Sequence, residues 1–229
     1  MMKYYIAGFV VWLALALPAQ AERLAVSNPG FNFRTYPSGG TNTHGFTTGA
    51  GTNAGFNPLG GGSDNAAVVS GWASVYLGGG PSSSAGAHQL NATYWLTNNY
   101  PGPGNAAGYA TWGGLLIQTI TNALQPNTAY RLQVDLLARD SGLPAQSNIV
   151  VKLQDGAGND LPGTLTVVMP SSAGPGSATY TVMTSPAVSP GNLRIVLGNS
   201  NTNSYSQICF DSVRLDAGVP YANGAFLNQ

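Results

Sequence analysis

A chain of 229 residues, 43% of them apolar, is long enough to form one domain with a sizeable core. Only 7% of the residues are charged and the formal net charge is zero, which excludes both the basic face that binds nucleic acid and a polybasic membrane contact. The single cysteine, Cys209, excludes an intramolecular disulfide and is expected to be a buried thiol.

The first 21 residues have the pattern of a secretory signal peptide. Lys3 gives a positive start, an apolar run extends from Ile6 to Leu17, and the segment ends in Ala19-Gln20-Ala21. The apolar run is shorter than a membrane span requires. We therefore expect cleavage after Ala21, a secreted protein in the extracellular space or on the cell surface, and no contact with the membrane.

Short strands separated by glycine and proline make up the rest of the chain. The clearest runs from Ala129 to Ala138, where apolar and polar residues alternate as in a half-buried antiparallel strand. The other strands predicted before the closing one cover residues 24–28, 68–76, 87–96, 109–120, 149–153, 164–169, 178–184 and 193–197. No segment shows a helical period, so we predict an all-β fold: an antiparallel β-sandwich of the jelly-roll type over residues 22–217, followed by a C-terminal tail over residues 218–229.

The closing strand, residues 207–217, contains a break in its alternation. Ile208 and Phe210 point to one face, and Val213 and Leu215 continue the apolar pattern with the opposite parity. Because side chains of a strand alternate with a period of two, an extra residue must intervene, as in a β-bulge. The bulge would lie at Asp211 and Ser212, where the backbone changes direction.

A long segment over residues 31–70 is rich in glycine, asparagine and threonine, with isolated aromatic residues. A connection of that length without secondary structure is uncommon in a compact domain. We expect either a functional excursion that is packed down by its aromatic residues or a mobile segment.

Four short motifs carry a family resemblance, and they occur in a fixed order along the chain. They are Asn28-Pro29-Gly30-Phe31, Gly71-Trp72, Asn127-Thr128-Ala129-Tyr130 and Phe210-Asp211-Ser212-Val213-Arg214-Leu215. The chain resembles the galactose-binding-like jelly-roll domains, which include carbohydrate-binding modules attached to polysaccharide-degrading enzymes. It is especially similar to single domains of exported bacterial proteins that carry a PEP-CTERM sorting tail. That tail is absent here, which favours free secretion.

The resemblance implies a structural calcium ion. In the similar modules, a cation is held by backbone oxygens near the first strand and by two acidic side chains, at the positions of Asn32 and Asp211. A hard cation binds six or more oxygen atoms, and the neutral Asn32 removes one charge, so we expect weakened binding. The alternative is that Asp211 accepts hydrogen bonds from backbone amides of the loop after the first strand.

The sequence offers no recognisable catalytic set. Glu22 is the only glutamate, so a pair of glutamates of the glycosidase type is excluded. His44 and His88 are solitary, and no nucleophile elbow is present. We therefore expect the protein not to be an enzyme.

The leading functional prediction is a secreted, non-catalytic module that binds a polysaccharide or glycan. Sugars stack their apolar faces on aromatic rings, while amide side chains bind their hydroxyl groups. The ligand-binding residues predicted on this basis are Trp95, Asn98, Asn99, Tyr100, Trp112 and Tyr205. Trp72 is instead predicted to lie in the core, since it stands in an apolar strand.

Two other functions remain open from the sequence. A structural or adhesive exoprotein that associates with copies of itself is the second, because the chain carries little charge and a long polar excursion. A hydrolase acting on glycans is the third.

Overall fold

The computed structural model describes residues 22–27, 29–31, 34–35, 68–69, 71–77, 85–89, 106–138, 143–171, 174–202 and 206–218. Strands dominate these residues, together with one short 3₁₀ helix over Gln146–Asn148. The strands are β1 (Glu22–Leu24), β2 (Arg34–Thr35), β3 (Val68–Val69), β4 (Ala73–Tyr76), β5 (Ala85–Gln89), β6 (Ala106–Thr111), β7 (Gly114–Leu124), β8 (Ala129–Ala138), β9 (Ile149–Asp155), β10 (Thr164–Val168), β11 (Gly176–Met183), β12 (Gly191–Asn199) and β13 (Gln207–Gly218).

Two antiparallel sheets face each other. The larger sheet has seven strands in the order β10-β11-β8-β13-β6-β5, with β1 paired to β13, and the smaller has four in the order β4-β7-β12-β9. The strands β2 and β3 form a separate pair. The predicted all-β antiparallel sandwich is therefore confirmed. No helix among the described residues has the length and apolarity needed to cross a membrane.

The core lies between the two sheets and follows the alternation of the strands. On β8 of the large sheet, Leu132, Val134 and Leu136 point inward and are at most 1% exposed. On β12 of the small sheet, Leu193, Ile195 and Leu197 are completely buried. Burial of each such side chain contributes about 1.5–3 kcal/mol, so these two strands hold much of the stability of the sandwich.

Trp72 belongs to this core, as predicted, and is 5% exposed. Its ring packs against Phe31, with the two ring centroids 5.1 Å apart. Phe31 in turn fits against the backbone at Gly108, where an added Cβ atom would lie 2.7 Å from the ring. The chain after the first strand is thus anchored by an aromatic pair at the edge of the sandwich.

The closing strand β13 lies in the middle of the large sheet. It pairs with β8 on both sides of an interruption after Asp211, and on its other edge it pairs first with β6 and then with β1. The register with β8 shifts between Asp211 and Arg214, and Ser212 has a φ of 52°. The bulge predicted from the parity of the sequence is therefore present at the predicted residues.

The prediction of one strand over residues 109–120 is wrong. The chain turns at Trp112 and Gly113, whose φ values are 43° and 70°, and passes from β6 in the large sheet to β7 in the small sheet. A pair of residues with positive φ is typical of a tight turn, and glycine adopts this conformation at little cost. The strand predicted over residues 68–76 is likewise divided, at Gly71, which has a φ of 81°.

Several sequence predictions concern residues outside the described ranges. They include the signal peptide over residues 1–21, most of the excursion over residues 31–70 and the tail beyond residue 218. These predictions stay predictions.

Candidate active site

The bulge in β13 turns one carboxylate away from the core. Phe210 and Val213 both face the space between the sheets and are at most 3% exposed. Asp211 therefore lies on the outer face of the large sheet, because successive side chains of a strand point to opposite faces. The N–H of Val213 donates to the carbonyl oxygen of Pro29 over 3.1 Å, so the bulge is also tied to the chain that follows β1.

A second apolar cluster, which we call the outer-face cluster, lies next to Asp211. It consists of Ala107, Tyr109, Leu137 and Cys209, which are at most 4% exposed. Cys209 is the partner of Tyr109 in the pairing of β13 with β6, and of Leu137 in the pairing with β8. Three adjacent strands thus form an apolar surface on the face of the sheet that is turned away from the core.

The Asp211 carboxyl is half-buried beside this cluster, and burial raises its pKa to about 6. The N–H of Ser212, which donates to Oδ1 over 2.7 Å, opposes that rise, and the negative charge of Asp135 adds to it. A carboxyl with a pKa near 6 is partly protonated close to neutral pH, so it can donate a proton as well as accept one.

Charged side chains continue along the same face from Asp211. Arg214 Nη2 lies 3.0 Å from Asp135 Oδ1. Further along β13, Asp216 is buried and contacts Arg131 at 2.9 Å and Arg23 at 3.4 Å. The outer face therefore changes from apolar to ionic along the strand, and Asp211 lies at the transition.

Of the ligand-binding residues predicted from the sequence, the structure describes Trp112 alone. Trp112 is half-buried in the turn between the two sheets. The other five lie outside the described residues: Trp95, Asn98, Asn99, Tyr100 and Tyr205.

The predicted calcium site is described only in part. Asn32 lies outside the described residues, and the part of the chain that is described contains no group of three or more His, Cys, Asp or Glu that could hold a metal ion. The carbonyl oxygen of Ser27 accepts hydrogen bonds from Gln118 and from Trp72, at 2.8 and 3.1 Å. This carbonyl oxygen is thus engaged by protein donors. The alternative was that Asp211 accepts hydrogen bonds from backbone amides of the loop after the first strand. In the structure, its carboxylate accepts a hydrogen bond from the backbone N–H of Ser212.

These observations define a class: a two-sheet β protein with a desolvated acid and an apolar cluster on the outer face of its larger sheet. Residues 22–216 match the model of a family named HpiC1-like and described as HpiC1 cyclase. The chain belongs to the HpiC1-like family. No protein with a curated description matches it.

Solved structures of cyclases share this fold. A cyclase from Fischerella sp. TAU is 17% identical, with a TM-score of 0.59 and coverage of 89% of this chain and 100% of that chain. The Stig cyclase Fisc from the same organism, in complex with (3Z)-3-(1-methyl-2-pyrrolidinylidene)-3H-indole, is 18% identical, with a TM-score of 0.56 and coverage of 86% and 98%. A cyclase in complex with 4-(1H-indol-3-yl)butan-2-one, also from this organism, has the same identity and TM-score and coverage of 86% and 97%.

The family assignment corrects the resemblance drawn from the sequence. The short motifs of the strands and turns are shared by many jelly-roll proteins, and this chain is a member of the HpiC1-like family and not a galactose-binding-like or carbohydrate-binding module. Fold-level motifs report how strands are connected, whereas function depends on a site placed on the fold.

The functional predictions are corrected by the same finding. The expectation that the protein is not an enzyme is wrong, because its family is a family of cyclases. The prediction of a non-catalytic module that binds a polysaccharide or glycan is wrong as well, and so are its adhesive and glycan-hydrolysing alternatives, because the family is a family of cyclases. The sequence prediction considered pairs of acids and spaced motifs, and a single desolvated acid such as Asp211 belongs to neither kind of pattern.

Proposed function

We propose that this protein is an enzyme that closes a ring in a small, aromatic and largely apolar molecule, with Asp211 as the proton donor. The observation that carries the proposal is the state of the Asp211 carboxyl. It is half-buried beside the outer-face cluster, and this burial raises its pKa to about 6. Acids with a pKa raised by desolvation concentrate at active sites, because proton transfer is most efficient when that pKa lies near the working pH.

The chemistry would begin with transfer of the Asp211 proton to an electron-rich carbon of the substrate. The cation formed is attacked by a carbon–carbon π bond of the same molecule, and this step forms the new ring bond. Loss of a proton to the Asp211 carboxylate then gives the neutral product and restores the acid. The reaction is an isomerisation, so it needs no oxidant, reductant or second substrate.

The outer-face cluster would serve the cation in two ways. Its apolar side chains exclude water, which would otherwise capture the cation before the ring closes. The ring of Tyr109 is 2% exposed, so a substrate would reach its electron-rich face only when the region around the acid opens, and that face would then stabilise positive charge. The indole compounds bound to the similar cyclases support a substrate that carries an indole and an unsaturated side chain.

The test uses the purified protein and a panel of indoles that bear an unsaturated side chain. Because the product has the mass of the substrate, the reaction is followed by chromatographic retention and by NMR. We expect turnover by the wild type and a loss of about 100-fold or more for Asp211→Asn, which cannot donate the proton. Asp160→Asn is the matched control, since Asp160 is an exposed aspartate that is hydrogen-bonded to Lys152 and Gln154 on the small sheet. An unchanged rate for Asp211→Asn would contradict the assignment.

For calcium, we propose a narrower role than the sequence predicts. A calcium ligand is an ionised carboxylate or a neutral oxygen, and burial makes the ionised form of Asp211 more costly by raising its pKa to about 6. A structural calcium ion would then be bound by oxygens other than those of Asp211.

A further inference from the structure

The ion pair between Asp135 and Arg214 lies beside the proposed proton donor and has no part in the chemistry described above. In the pairing of β8 with β13, Asp135 stands directly opposite Asp211, and Arg214 stands opposite Gln133. The Cβ atoms of residues that face each other in antiparallel strands lie about 5 Å apart. The two carboxylates therefore lie within reach of the same guanidinium group.

The bulge is what brings Arg214 to this face. In a regular strand, the third residue after Asp211 would point into the core, and the extra residue restores it to the outer face. There, Nη2 of Arg214 contacts Asp135, while Nε is buried and has no hydrogen-bond partner among the described residues. The guanidinium thus has an unused donor on the same face of the sheet as Asp211.

We propose that Asp135 is a positioning residue, which holds the guanidinium of Arg214 away from Asp211 and so preserves Asp211 as a proton donor. This inference rests on the proposed function of Asp211. An arginine that pairs with a carboxylate stabilises its ionised form, and an aspartate paired in this way no longer donates a proton near neutral pH.

None of the other groups around Asp211 could stabilise its ionised form as Arg214 could. From β6, it is faced by Ala107 and Tyr109, and its neighbour on the same face of β13 is Cys209. From β8, it is faced by Leu137 and Asp135. Of the described residues near Asp211 on these three strands, Arg214 is the one cation, so the partner that Arg214 takes decides the charge of the site.

The experiment measures the titration of the Asp211 carboxyl by NMR in protein labelled with ¹³C-aspartate. We expect the midpoint to fall by about 1 to 3 pH units in Asp135→Asn, because Arg214 then turns to Asp211. In the double variant Asp135→Asn/Arg214→Gln the fall should be less than half as large, since no guanidinium remains. Asp135→Glu keeps the carboxylate that binds Arg214 and should retain a midpoint close to that of the wild type.

Equal falls in the single and double variants would overturn the proposal, because the effect would then come from the lost charge of Asp135 alone. An unchanged midpoint in Asp135→Asn would overturn it too. If Asp135→Asn does not fold, Arg214→Gln gives a second test: its midpoint should be no lower than that of the wild type, and a lower one would contradict the role of Asp135.

Activity gives an independent readout. In Asp135→Asn, kcat at pH 7 should fall by about tenfold for each pH unit that the midpoint moves, with KM unchanged, since the protonated fraction of Asp211 falls by that factor. The NMR titration needs no substrate, so it tests the positioning role even if Asp211→Asn proves active and the proposed function fails.

Discussion

At the scale of the residue, Asp211 shows the cost of holding an acid in its protonated form. Its pKa in the fold, about 6, lies above the ordinary value of 3.8, so the folded state binds this proton more tightly than the unfolded chain does. The folded state is therefore favoured by this group below about pH 4, and that contribution is lost as the pH rises through 6. A carboxyl whose pKa is raised by burial thus reduces the stability of the fold above about pH 6.

Replacement of Asp211 by asparagine should remove this dependence. We expect Asp211→Asn to melt at a higher temperature than the wild type at pH 8, and the gap to close as the pH is lowered to 4. The measurement is a series of thermal melts across this range. Asp155→Asn is a control in which the pH dependence of stability should have the opposite sign, because hydrogen bonds from Asn159 lower the pKa of the Asp155 carboxyl. That variant should be the less stable one above pH 4, and its deficit should shrink as the pH falls below the pKa of Asp155.

The sequence identified Asp211 as exceptional but could not give its environment. The parity break between Phe210 and Val213 is visible in the sequence, and a carboxylate at a bulge invites attention. Its desolvation depends on Ala107, Tyr109 and Leu137, which lie on strands 74 or more positions earlier in the chain (211 − 137 = 74). Strand pairing brings these residues together, and no local pattern records it.

At the scale of the element, strands were predictable where one face is buried and the other is solvated. The bounds of β8 are those predicted, because its alternation is unbroken. The crossing at Trp112 and Gly113 was missed, because β-branched and aromatic residues flank it and suggest that the strand continues. A tryptophan with a positive φ is uncommon, and tertiary packing there overrides the local preference.

The side chain of Gln118 connects the segment that follows the first strand to the rest of the sandwich. Gln118 on β7 is 3% exposed, accepts a hydrogen bond from the N–H of Ser27 and donates to the carbonyl oxygens of Ser27 and Gly71. This amide binds both backbone groups of Ser27, so the segment behaves as if another strand were paired there.

Gln118→Ala should remove three hydrogen bonds, to the N–H of Ser27 and to the carbonyl oxygens of Ser27 and Gly71, while the Ser27 carbonyl keeps its bond from Trp72. A hydrogen bond of this kind contributes about 0.5–1.5 kcal/mol, so the loss of the three made by the buried Gln118 amide should lower the free energy of unfolding by about 2 kcal/mol. Denaturant titration measures the loss, and the family fold should be retained. Gln154→Ala is the matched control: its amide donates to Asp160 at an exposed site, and a change of no more than about 0.5 kcal/mol is expected. Equal effects of the two substitutions would contradict the role of Gln118.

At the scale of the whole molecule, the two faces of the large sheet differ in what they contact. Side chains on the inner face pack against the small sheet and form the core. The outer face carries Asp211 and the buried outer-face cluster. The fold is retained in cyclases only 17% identical to this chain. Composition and strand pattern were sufficient for the architecture, because they reflect the inner face. The function predicted from the same pattern was wrong, and the site proposed here lies on the outer face, which the pattern does not describe.

Calcium is tested on the intact protein. If a structural ion is bound away from Asp211, removal of calcium by a chelator should lower the melting temperature of the wild type and of Asp211→Asn by the same amount. Added magnesium is the control, because its smaller, rigid octahedral coordination should not restore the loss. A chelator effect that disappears in Asp211→Asn would return Asp211 to the set of ligands.

The place of Cys209 has a practical consequence. It is the only cysteine in the chain, it is completely buried, and it lies two residues before Asp211 in the outer-face cluster. A thiol-specific reagent can therefore modify one atom of the protein, and only during moments when the region around the acid opens to solvent. The rate at which Cys209 of the wild type is alkylated therefore reports how often that region opens. A bound small molecule should lower this rate.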